Sequence, residues 1–468
     1  MILLKRFIGT RAFYRNLLSV MIPILIQNGI TNFISLLDNV MVGTLGTEQM
    51  SGVSIVNQLI FVFNLTVFGA LSGVGLFSAQ MHGKGDVEGV RHTFRFKLLV
   101  SLSVAVAALL FLFFGGEQLI SLYLHEGSET GDLALTMHYA KEYLAVALVG
   151  LLPYTVAQVY SSTLREVGHT LPPMVAGLVG VGVNLLFNTL LIFGLCGFPR
   201  MGVAGAALAT VIARCVECAF VLLWTHLHKE KCPFVKDAYR SARVPLSLVR
   251  RIAVTGTPLL INEALWAAGQ AMLLQCYSMR GIAAVSAMNI TNTVYNTFSV
   301  VFLSAGLSVA ILLGHRLGAD ERETARTEAR QMIAFAGFLG LCVGILIVIL
   351  SPVFPLLYNT TEEVRTLATE LTVVIGIYAP FHAILNSSYF TIRSGGKTLI
   401  TFLFDSGFVW GINVPVTLAL VILTPLPPTA VFVACHLTEL CKLVLGLLLV
   451  RSGTWCRNIT ETSAPGAE

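Results

Sequence analysis

The two halves of this chain repeat each other, and their first parts do so without a gap. At a constant offset of 235 residues, nine identical residues recur in the second half. Their pairs are Pro23 with Pro258, Gly46 with Gly281, Ser51 with Ser286, Asn57 with Asn292, Phe63 with Phe298, Ala70 with Ala305, Gly83 with Gly318, Arg91 with Arg326 and Arg95 with Arg330. A second register, offset by 227 residues, pairs Pro153, Ser161 and Gly168 with Pro380, Ser388 and Gly395. The repeat requires a fold built from two copies of one unit.

The composition identifies lipid as the surroundings of this chain. Of its 468 residues, 55% are hydrophobic and only 12% are charged, whereas soluble domains carry about 25% charged residues. A helix of about 20 apolar residues crosses the hydrocarbon core and satisfies its own backbone there. The sequence predicts twelve such spans, at 16–42, 52–80, 94–115, 137–162, 171–195, 202–227, 252–278, 286–314, 331–357, 370–392, 398–423 and 428–450.

Charge placement predicts which side each loop faces, because Lys and Arg near span ends stay on the cytoplasmic side. With both termini inside, the cytoplasmic segments hold 24 of the 30 Lys and Arg residues. Six spans per half give both halves the same orientation, related by an axis along the membrane normal. The net charge of +5 then reflects topology rather than a nucleic-acid surface. We expect a multi-pass protein of the plasma membrane, which is the inner membrane in a bacterium.

The predicted fold is an all-α integral membrane protein with twelve transmembrane helices in two pseudo-symmetric six-helix bundles. Its expected divisions are an N-terminal lobe at 1–228, a linker loop at 229–251, a C-terminal lobe at 252–450 and a cytoplasmic tail at 451–468. The last dozen residues are polar and contain Pro and Gly, so we expect them to be disordered. No cleavable signal is apparent, and the first helix is expected to be retained.

Polar residues predict that the first two spans of each half line a cavity. They recur at three-and-four spacing, which places side chains on one face of a helix. Inside a membrane, such a face looks into protein or water. The candidate cavity residues are Asn28, Asn32 and Ser35 in span one, Asn57 and Asn64 in span two, Trp266 and Gln270 in span seven, and Asn289, Asn292 and Asn296 in span eight.

Acidic residues inside the spans are candidates for ion coupling, because a charge at a helix centre costs about 2.5–3.5 kcal/mol and usually has a function or a partner. Asp38 has no basic neighbour on its own helix. Glu263 lies five residues after Pro258, so its alternative role is a structural cap near the cytoplasmic end. Asp405 lies in the inner half of span eleven, and a coupling role and a structural role both stay open for it.

Two other carboxylates have a basic partner three residues away. Glu439 precedes Lys442, and Arg214 precedes Glu217. This spacing suits an ion pair on one helix face. We therefore interpret both couples as structural.

A carboxylate in an apolar cavity can hold a proton or a sodium ion, and it also attracts organic cations. When the ion and the substrate cannot be held together, inward flow of the ion expels the substrate. Together with the repeat, this chemistry predicts a transporter whose halves rock around a shared cavity near the bilayer midplane.

Other functional classes lack their sequence signals. The stretch His82–Asp86 does not match the GxxxxGK[ST] pattern of a phosphate-binding loop, and neither HExxH nor GxSxG occurs. We therefore expect no enzyme activity, no nucleotide or nucleic-acid partner, and no cofactor apart from the coupling ion. The nine scattered Cys residues do not form a disulfide framework.

The chain resembles the multidrug and toxic compound extrusion (MATE) family. The likeness rests on the segment from Pro23 to Asp38 with NVMVG at Asn39–Gly43, on the turn Gly83–Asp86, on GVAGAALAT at Gly202–Thr210, and on the six-plus-six repeat. It implies two six-helix lobes around a V-shaped cavity, alternating access, and export of mostly cationic organic compounds in exchange for Na⁺ or H⁺. We expect the protein to act as a monomer on such small substrates.

The resemblance also implies site residues. Asp38 matches the family's first-span aspartate, Asn184 matches a companion asparagine in span five, and Thr210 supplies the hydroxyl that completes a site able to take Na⁺. The family often has an aspartate at the position of Asn188, so this chain carries one negative charge fewer there. Glu263 resembles a seventh-span glutamate of several branches. Which lobe drives coupling, and whether the ion is Na⁺ or H⁺, stays open.

Two alternatives remain at this point. A flippase of lipid-linked oligosaccharides, from the same wider superfamily, would favour a basic cavity for pyrophosphate, whereas the predicted intramembrane charges here are mainly acidic. A membrane-embedded enzyme is the alternative from a different class.

Overall fold

The structure, a computed structural model, describes residues 7–124, 132–358 and 360–461, without the side chains of 34–37, 39, 40 and 282. This part of the chain is helical and contains no strand. The twelve long helices are α1 (Arg11–Gly43), α2 (Thr47–Lys84), α3 (Val87–Ser121), α4 (Leu133–Glu166), α5 (Leu171–Phe193), α6 (Gly202–Leu227), α7 (Leu246–Ser278), α8 (Ile282–Gly318), α9 (Arg322–Leu350), α10 (Glu362–Ser394), α11 (Thr398–Leu423) and α12 (Pro428–Ser452).

Each predicted span falls on one of these helices. Ten of the described helices, α2 to α6 and α8 to α12, are long and apolar enough to cross a membrane. The other two, α1 and α7, are continuous helices of 33 residues each. They carry several of the polar residues predicted to line a cavity, and polar residues lower the mean hydropathy of a span. The predicted all-α class is confirmed.

Irregular turns interrupt three of the predicted spans. The ninth span was predicted to reach residue 357, but α9 ends at Leu350, and a short 3₁₀ turn follows at Phe354–Leu357. Pro352 and Pro355 explain the difference, because proline has no backbone N–H to continue the helix. Helix α4 contains a 3₁₀ turn at Leu148–Gly150. Helix α11 widens into π-helical turns at Leu403–Gly407 and Val409–Asn413.

The described residues form two compact units. The N-terminal unit comprises 26–78 and 87–250, and the C-terminal unit comprises 7–25, 79–86 and 251–461. Helix α1 therefore begins in the C-terminal unit and continues into the N-terminal unit, and α2 ends in the C-terminal unit. The sequence-based division into lobes at 1–228 and 252–450 stays a prediction.

Small residues allow close helix packing inside each unit. In the N-terminal unit, α5 packs against α6, and a Cβ added at Gly205 would lie 2.7 Å from the carbonyl oxygen of Leu191. In the C-terminal unit, Gly340 is similarly close to Pro380, where α9 packs against α10. The small residues at 202–209 thus permit close contact between α5 and α6.

The first half of α1 supplies part of the core of the C-terminal unit. Leu17, Val20 and Ile24 follow helical spacing and are buried together with Val309 and Leu312 of α8. Alanines of α9 and Phe390 of α10 complete this cluster. The first half of α1 is thus held in place by apolar packing.

The repeat reappears as a symmetric crossing between the last turns of α2 and α8. A Cβ added at Gly83 would overlap the carbonyl oxygen of His315, and one added at Gly318 would overlap that of Gln80. Gly83 and Gly318 are equivalent under the 235-residue offset, and so are Gln80 and His315. Each helix therefore presents its glycine to the same place on the other, and only glycine permits this approach.

The C-terminal tail forms an ordered strap at Gly453–Glu461, so the prediction that the last dozen residues are disordered is wrong for 457–461. Gly453 ends α12 in the left-handed conformation, and Trp455 is buried in the core that also contains Leu17. The fully buried Gln80 amide donates to the carbonyl oxygens of Ser394 (2.9 Å) and Arg457 (3.2 Å). Its oxygen accepts from the Ile459 amide at 2.7 Å. The predicted disorder of 462–468 concerns residues outside the described part.

We expect Gly318→Ala to destabilise the protein, because the new methyl group would overlap backbone at the α2–α8 crossing; overpacking of this kind costs about 1–3 kcal/mol. The measurement is the melting temperature of the purified protein at one fixed heating rate. Gly115→Ala is the matched control, since Gly115 is helical and has no atom within 4 Å of an added Cβ. An equal fall in both variants would contradict the steric explanation.

Candidate cation-coupling sites

Three helices of the N-terminal unit join in one hydrogen-bonded chain around Asp38. The Asn188 amide on α5 donates to Asp38 Oδ1 on α1 at 2.5 Å and to Asn184 Oδ1 at 3.1 Å. The Asn184 amide in turn donates to Thr210 Oγ1 on α6 at 3.2 Å. Asn184 and Asn188 are one helical turn apart, so their side chains lie on the same face of α5. The structure therefore brings together the four residues that the resemblance selected in this half.

One acceptor in this cluster has no donor. Asn188 is almost fully buried, and its Oδ1 has no hydrogen-bond partner in the described part of the chain. A buried polar atom without a partner costs about 1–3 kcal/mol. The orphan oxygen belongs to the amide whose nitrogen binds Asp38 Oδ1 and Asn184 Oδ1. Oxygen ligands of this kind suit a hard cation, and the same oxygens could accept from a protonated carboxyl.

Asp38 forms no ion pair with any described residue; its hydrogen-bond partner is the neutral Asn188. The nearby basic residue Arg214 is instead paired with Glu217 at 3.0 Å, as its spacing predicted. The Arg214 guanidinium also lies over the ring of Tyr154, 4.9 Å from its centre. Among the described residues, the Asp38 carboxylate is thus bound by the neutral amide of Asn188 and by no cationic side chain.

The other predicted cavity residues of the N-terminal unit are more scattered. Asn57 accepts a 3.2 Å hydrogen bond from Tyr143, a buried residue of α4. Asn28 and Asn64 are half-buried, and Asn32 is exposed. The Ser35 side chain lies outside the described residues, as does that of Asn39. Their part in a substrate cavity stays a prediction.

In the C-terminal unit, Asn262 organises a second polar cluster. Its amide donates to Asp405 Oδ2 at 3.1 Å and to the Tyr389 hydroxyl at 3.3 Å. Its Oδ1 accepts from the Ser406 backbone at 3.2 Å and from the Ser406 hydroxyl at 2.7 Å. All the hydrogen-bonding capacity of this buried side chain is used to join α7, α10 and α11.

The predicted ion pair between Glu439 and Lys442 is wrong. Lys442 instead binds Asp405 across two helices, with Nζ 2.8 Å from Oδ1. Glu439 accepts a hydrogen bond from Asn413 at 3.3 Å. Asp405 and Asn413 both lie in the π-helical turns of α11, which alter the register of the face directed at α12. Such turns are frequent at functional sites.

Glu263 is also neutralised by a fixed cation, since Arg393 of α10 lies 3.8 Å from it. It lies near the middle of α7, so the alternative of a cap at the helix end is wrong. Both predicted coupling carboxylates of the C-terminal unit, Glu263 and Asp405, thus have a basic partner inside the protein. Asp38 differs from them in this respect.

A polar stripe on α8 is exposed within a helix long and apolar enough to cross a membrane. Asn289 and Asn296 are exposed and Asn292 is half-buried. On the neighbouring α7, Gln270 is exposed and Trp266 is half-buried. Amides at membrane depth face water rather than lipid, so this surface of the C-terminal unit is suited to line a water-filled space.

Sequence reasoning did not select Tyr143, Ser406 or the pairing of Lys442 with Asp405. Ser406 is adjacent to Asp405, and its position in an otherwise apolar span was the available signal. For Tyr143 no local pattern was available, because its partner Asn57 is 86 residues away. Among the described residues, no group of three or more His, Cys, Asp or Glu side chains is placed to hold a metal ion.

The MatE family profile matches this chain in two segments, residues 23–190 and 258–418. The segments begin 235 residues apart, which is the offset of the internal repeat. Together they cover well over half of the chain. The match thus includes both halves and contains Asp38, Asn184, Asn188, Glu263 and Asp405.

Several known proteins are similar over most of their length. The multidrug resistance protein MdtK of Edwardsiella ictaluri is 26% identical over 78% of this chain and 78% of that protein. The probable multidrug resistance protein NorM of Thermotoga maritima is 25% identical, covering 94% and 93%. A solved multidrug resistance MATE family transporter of the MOP superfamily, in an outward-facing conformation, superposes with a TM-score of 0.85 at 18% identity, covering 96% and 97%. This likeness confirms the predicted membrane fold.

We expect Lys442→Met to destabilise the protein by about 3 kcal/mol, because it leaves Asp405 without its cation in a largely buried site. The double variant Asp405→Asn/Lys442→Met should regain most of that loss, since no unpaired charge remains. Melting temperatures of the purified proteins measure both effects. Glu439→Gln is the control, with a small change only. If Glu439→Gln lowered the melting temperature as much as Lys442→Met, the observed pairing would be contradicted.

Proposed function

Because the chain belongs to the MatE family of multidrug efflux transporters, we propose that it is a secondary active antiporter. It exports organic, mostly cationic compounds in exchange for Na⁺ or H⁺ by alternating access. The observation that carries the proposal is the Asp38 cluster, a carboxylate inside a membrane helix whose hydrogen-bond partner is a neutral amide. The coupling ion and a cationic organic substrate both need such a negative charge.

The chemistry of the cluster supports ion coupling at Asp38 rather than at Glu263 or Asp405. Arg393 and Lys442 already balance the charges of the latter two. A mobile cation would have to displace these tethered ones, whereas at Asp38 it meets amide and hydroxyl oxygens. The unpartnered Asn188 Oδ1 gives the ion a further acceptor.

Exchange follows when the ion and the substrate exclude each other. A site of one net negative charge binds one monovalent cation well and a second poorly, because the second meets no uncompensated charge. Binding free energies of the two ligands are then reciprocally linked, so entry of the ion down its gradient lowers substrate affinity. No covalent chemistry is required, which agrees with relatives that are named as multidrug resistance proteins.

The remaining features of the proposal follow from charge and composition. The loops that hold 24 of the 30 Lys and Arg residues are placed in the cytoplasm with both termini. The protein acts as a monomer in the plasma membrane. The exposed amides Asn289 and Asn296, with Gln270 on α7, provide a polar wall for organic substrates.

We expect Asp38→Asn to abolish ion-driven efflux, because the amide keeps the hydrogen bonds but loses the charge. The measurement is efflux of a fluorescent organic cation from proteoliposomes under an imposed Na⁺ or H⁺ gradient; a fall of at least tenfold corresponds to about 1.4 kcal/mol. Glu439→Gln is the matched control, since it neutralises another intramembrane acid.

Three results would change the proposal. Full coupling in Asp38→Asn together with its loss in Glu263→Gln would move the coupling site to the C-terminal unit. Efflux in the intact protein that ignores both gradients would contradict antiport. No efflux at all, with translocation of a lipid-linked oligosaccharide in the same vesicles, would favour the flippase.

A further inference from the structure

Arg214 is an unusual residue because it carries a permanent charge in the middle of the membrane helix α6. It lies one turn after Thr210, so both side chains share a face of that helix. Ionisable side chains at this depth usually pair or take part in transport. Arg214 has a local partner, Glu217, at 3.0 Å. However, its own side chain is 31% exposed, whereas that of Glu217 is 6% exposed.

The charge of Arg214 acts on two carboxylates. Arg214 pairs with Glu217 by contact, and its charge also acts on Asp38. The charges of Asp38 and Arg214 both act on the hydroxyl of Tyr143 on α4, and that hydroxyl donates to Asn57 at 3.2 Å. The hydrogen-bonded chain through Asn188 and Asn184 connects Asp38 to Thr210, which lies one helical turn before Arg214.

The other groups facing this region are few. Helix α4 contributes Tyr143, Tyr154 under the guanidinium, and Arg165, whose charge also acts on Glu217. Helix α5 contributes only the neutral Asn184 and Asn188. The balance of charge at Asp38 therefore depends on Arg214 and on whatever mobile cation is bound.

We propose that Arg214 is a tethered cation that competes with the coupling ion for Asp38. While the ion is bound at Asp38, Arg214 rests on Glu217. When the ion leaves, the guanidinium turns toward Asp38. This inference rests on the proposed function, because it concerns how the same site binds and releases its ion.

Two physical reasons support such an exchange. An ionised carboxylate left bare at membrane depth costs several kcal/mol, and a nearby guanidinium removes that cost without an ion from solution. Arginine also suits the task, since its planar group offers five donors and keeps its charge at every physiological pH. Glu217 holds the guanidinium when Asp38 is occupied, so neither position leaves a bare charge.

The test measures the half-saturating concentration of the driving ion for efflux, by Na⁺ titration at fixed pH and pH titration at fixed Na⁺. Arg214→Gln removes the competitor, so the half-saturating concentration should fall at least fivefold, the lower end of typical coupling between linked sites. Glu217→Gln removes the resting partner, so Arg214 stays on Asp38 and the half-saturating concentration should rise by a similar factor. Arg214→Lys keeps the charge and should stay close to the intact protein.

The opposite signs separate this proposal from a structural role. A merely structural pair predicts that both substitutions lower activity in the same way, and that result would overturn the inference. The double variant Arg214→Gln/Glu217→Gln leaves no unpaired charge. It therefore replaces, in the same measurement, a single variant that does not fold. It should behave like Arg214→Gln, and an unchanged half-saturating concentration would also overturn the inference. Intact protein without ion-driven efflux would instead refute the proposed function itself.

Discussion

The interior of a lipid bilayer offers no hydrogen-bond partner, so every polar group at that depth must find one within the protein or face water. The rest of this structure depends on that constraint. Asn262 uses its whole amide to join three helices, and Lys442 crosses to Asp405. Asn188 Oδ1 is one of several buried polar atoms that have no hydrogen-bond partner among the described residues. It differs from the others in belonging to the amide that binds Asp38, a carboxylate without an ion-pair partner in the described part of the chain.

The two units share a scaffold but not a charge distribution. The repeat equivalent of Asp38 is Leu273, a buried core residue, and the equivalent of Glu263 is Asn28. The residues that remained alike in both copies are those required by close backbone contact, such as Gly83 and Gly318 at the α2–α8 crossing. Close backbone contact constrains both copies at once, whereas a binding group in one copy is free to diverge. The asymmetry fits a protein in which one unit binds the ion and the other is internally neutralised.

Much of this architecture could be predicted from the sequence, because hydropathy, charge bias and the repeat are each expressed over many residues. The Asp38 cluster was predictable from family likeness and from the spacing of Asn184 and Asn188. The partner of Lys442 was not, since the three-residue rule considers one helix at a time and the π-helical turns of α11 redirect Asp405. The strap was missed for a similar reason. Its polar composition suggested disorder, but the burial of Trp455 depends on helices hundreds of residues earlier.

The strap also sets an order of events during synthesis. Gln80 enters the membrane region early, yet its partner amide at Ile459 is 379 residues further along the chain. Until translation reaches that residue, the side-chain oxygen of Gln80 at the end of α2 must accept its hydrogen bond from water. A chain that stops before residue 459 would lack this hydrogen bond. The strap thus completes the hydrogen bonding of a helix that precedes it by several hundred residues.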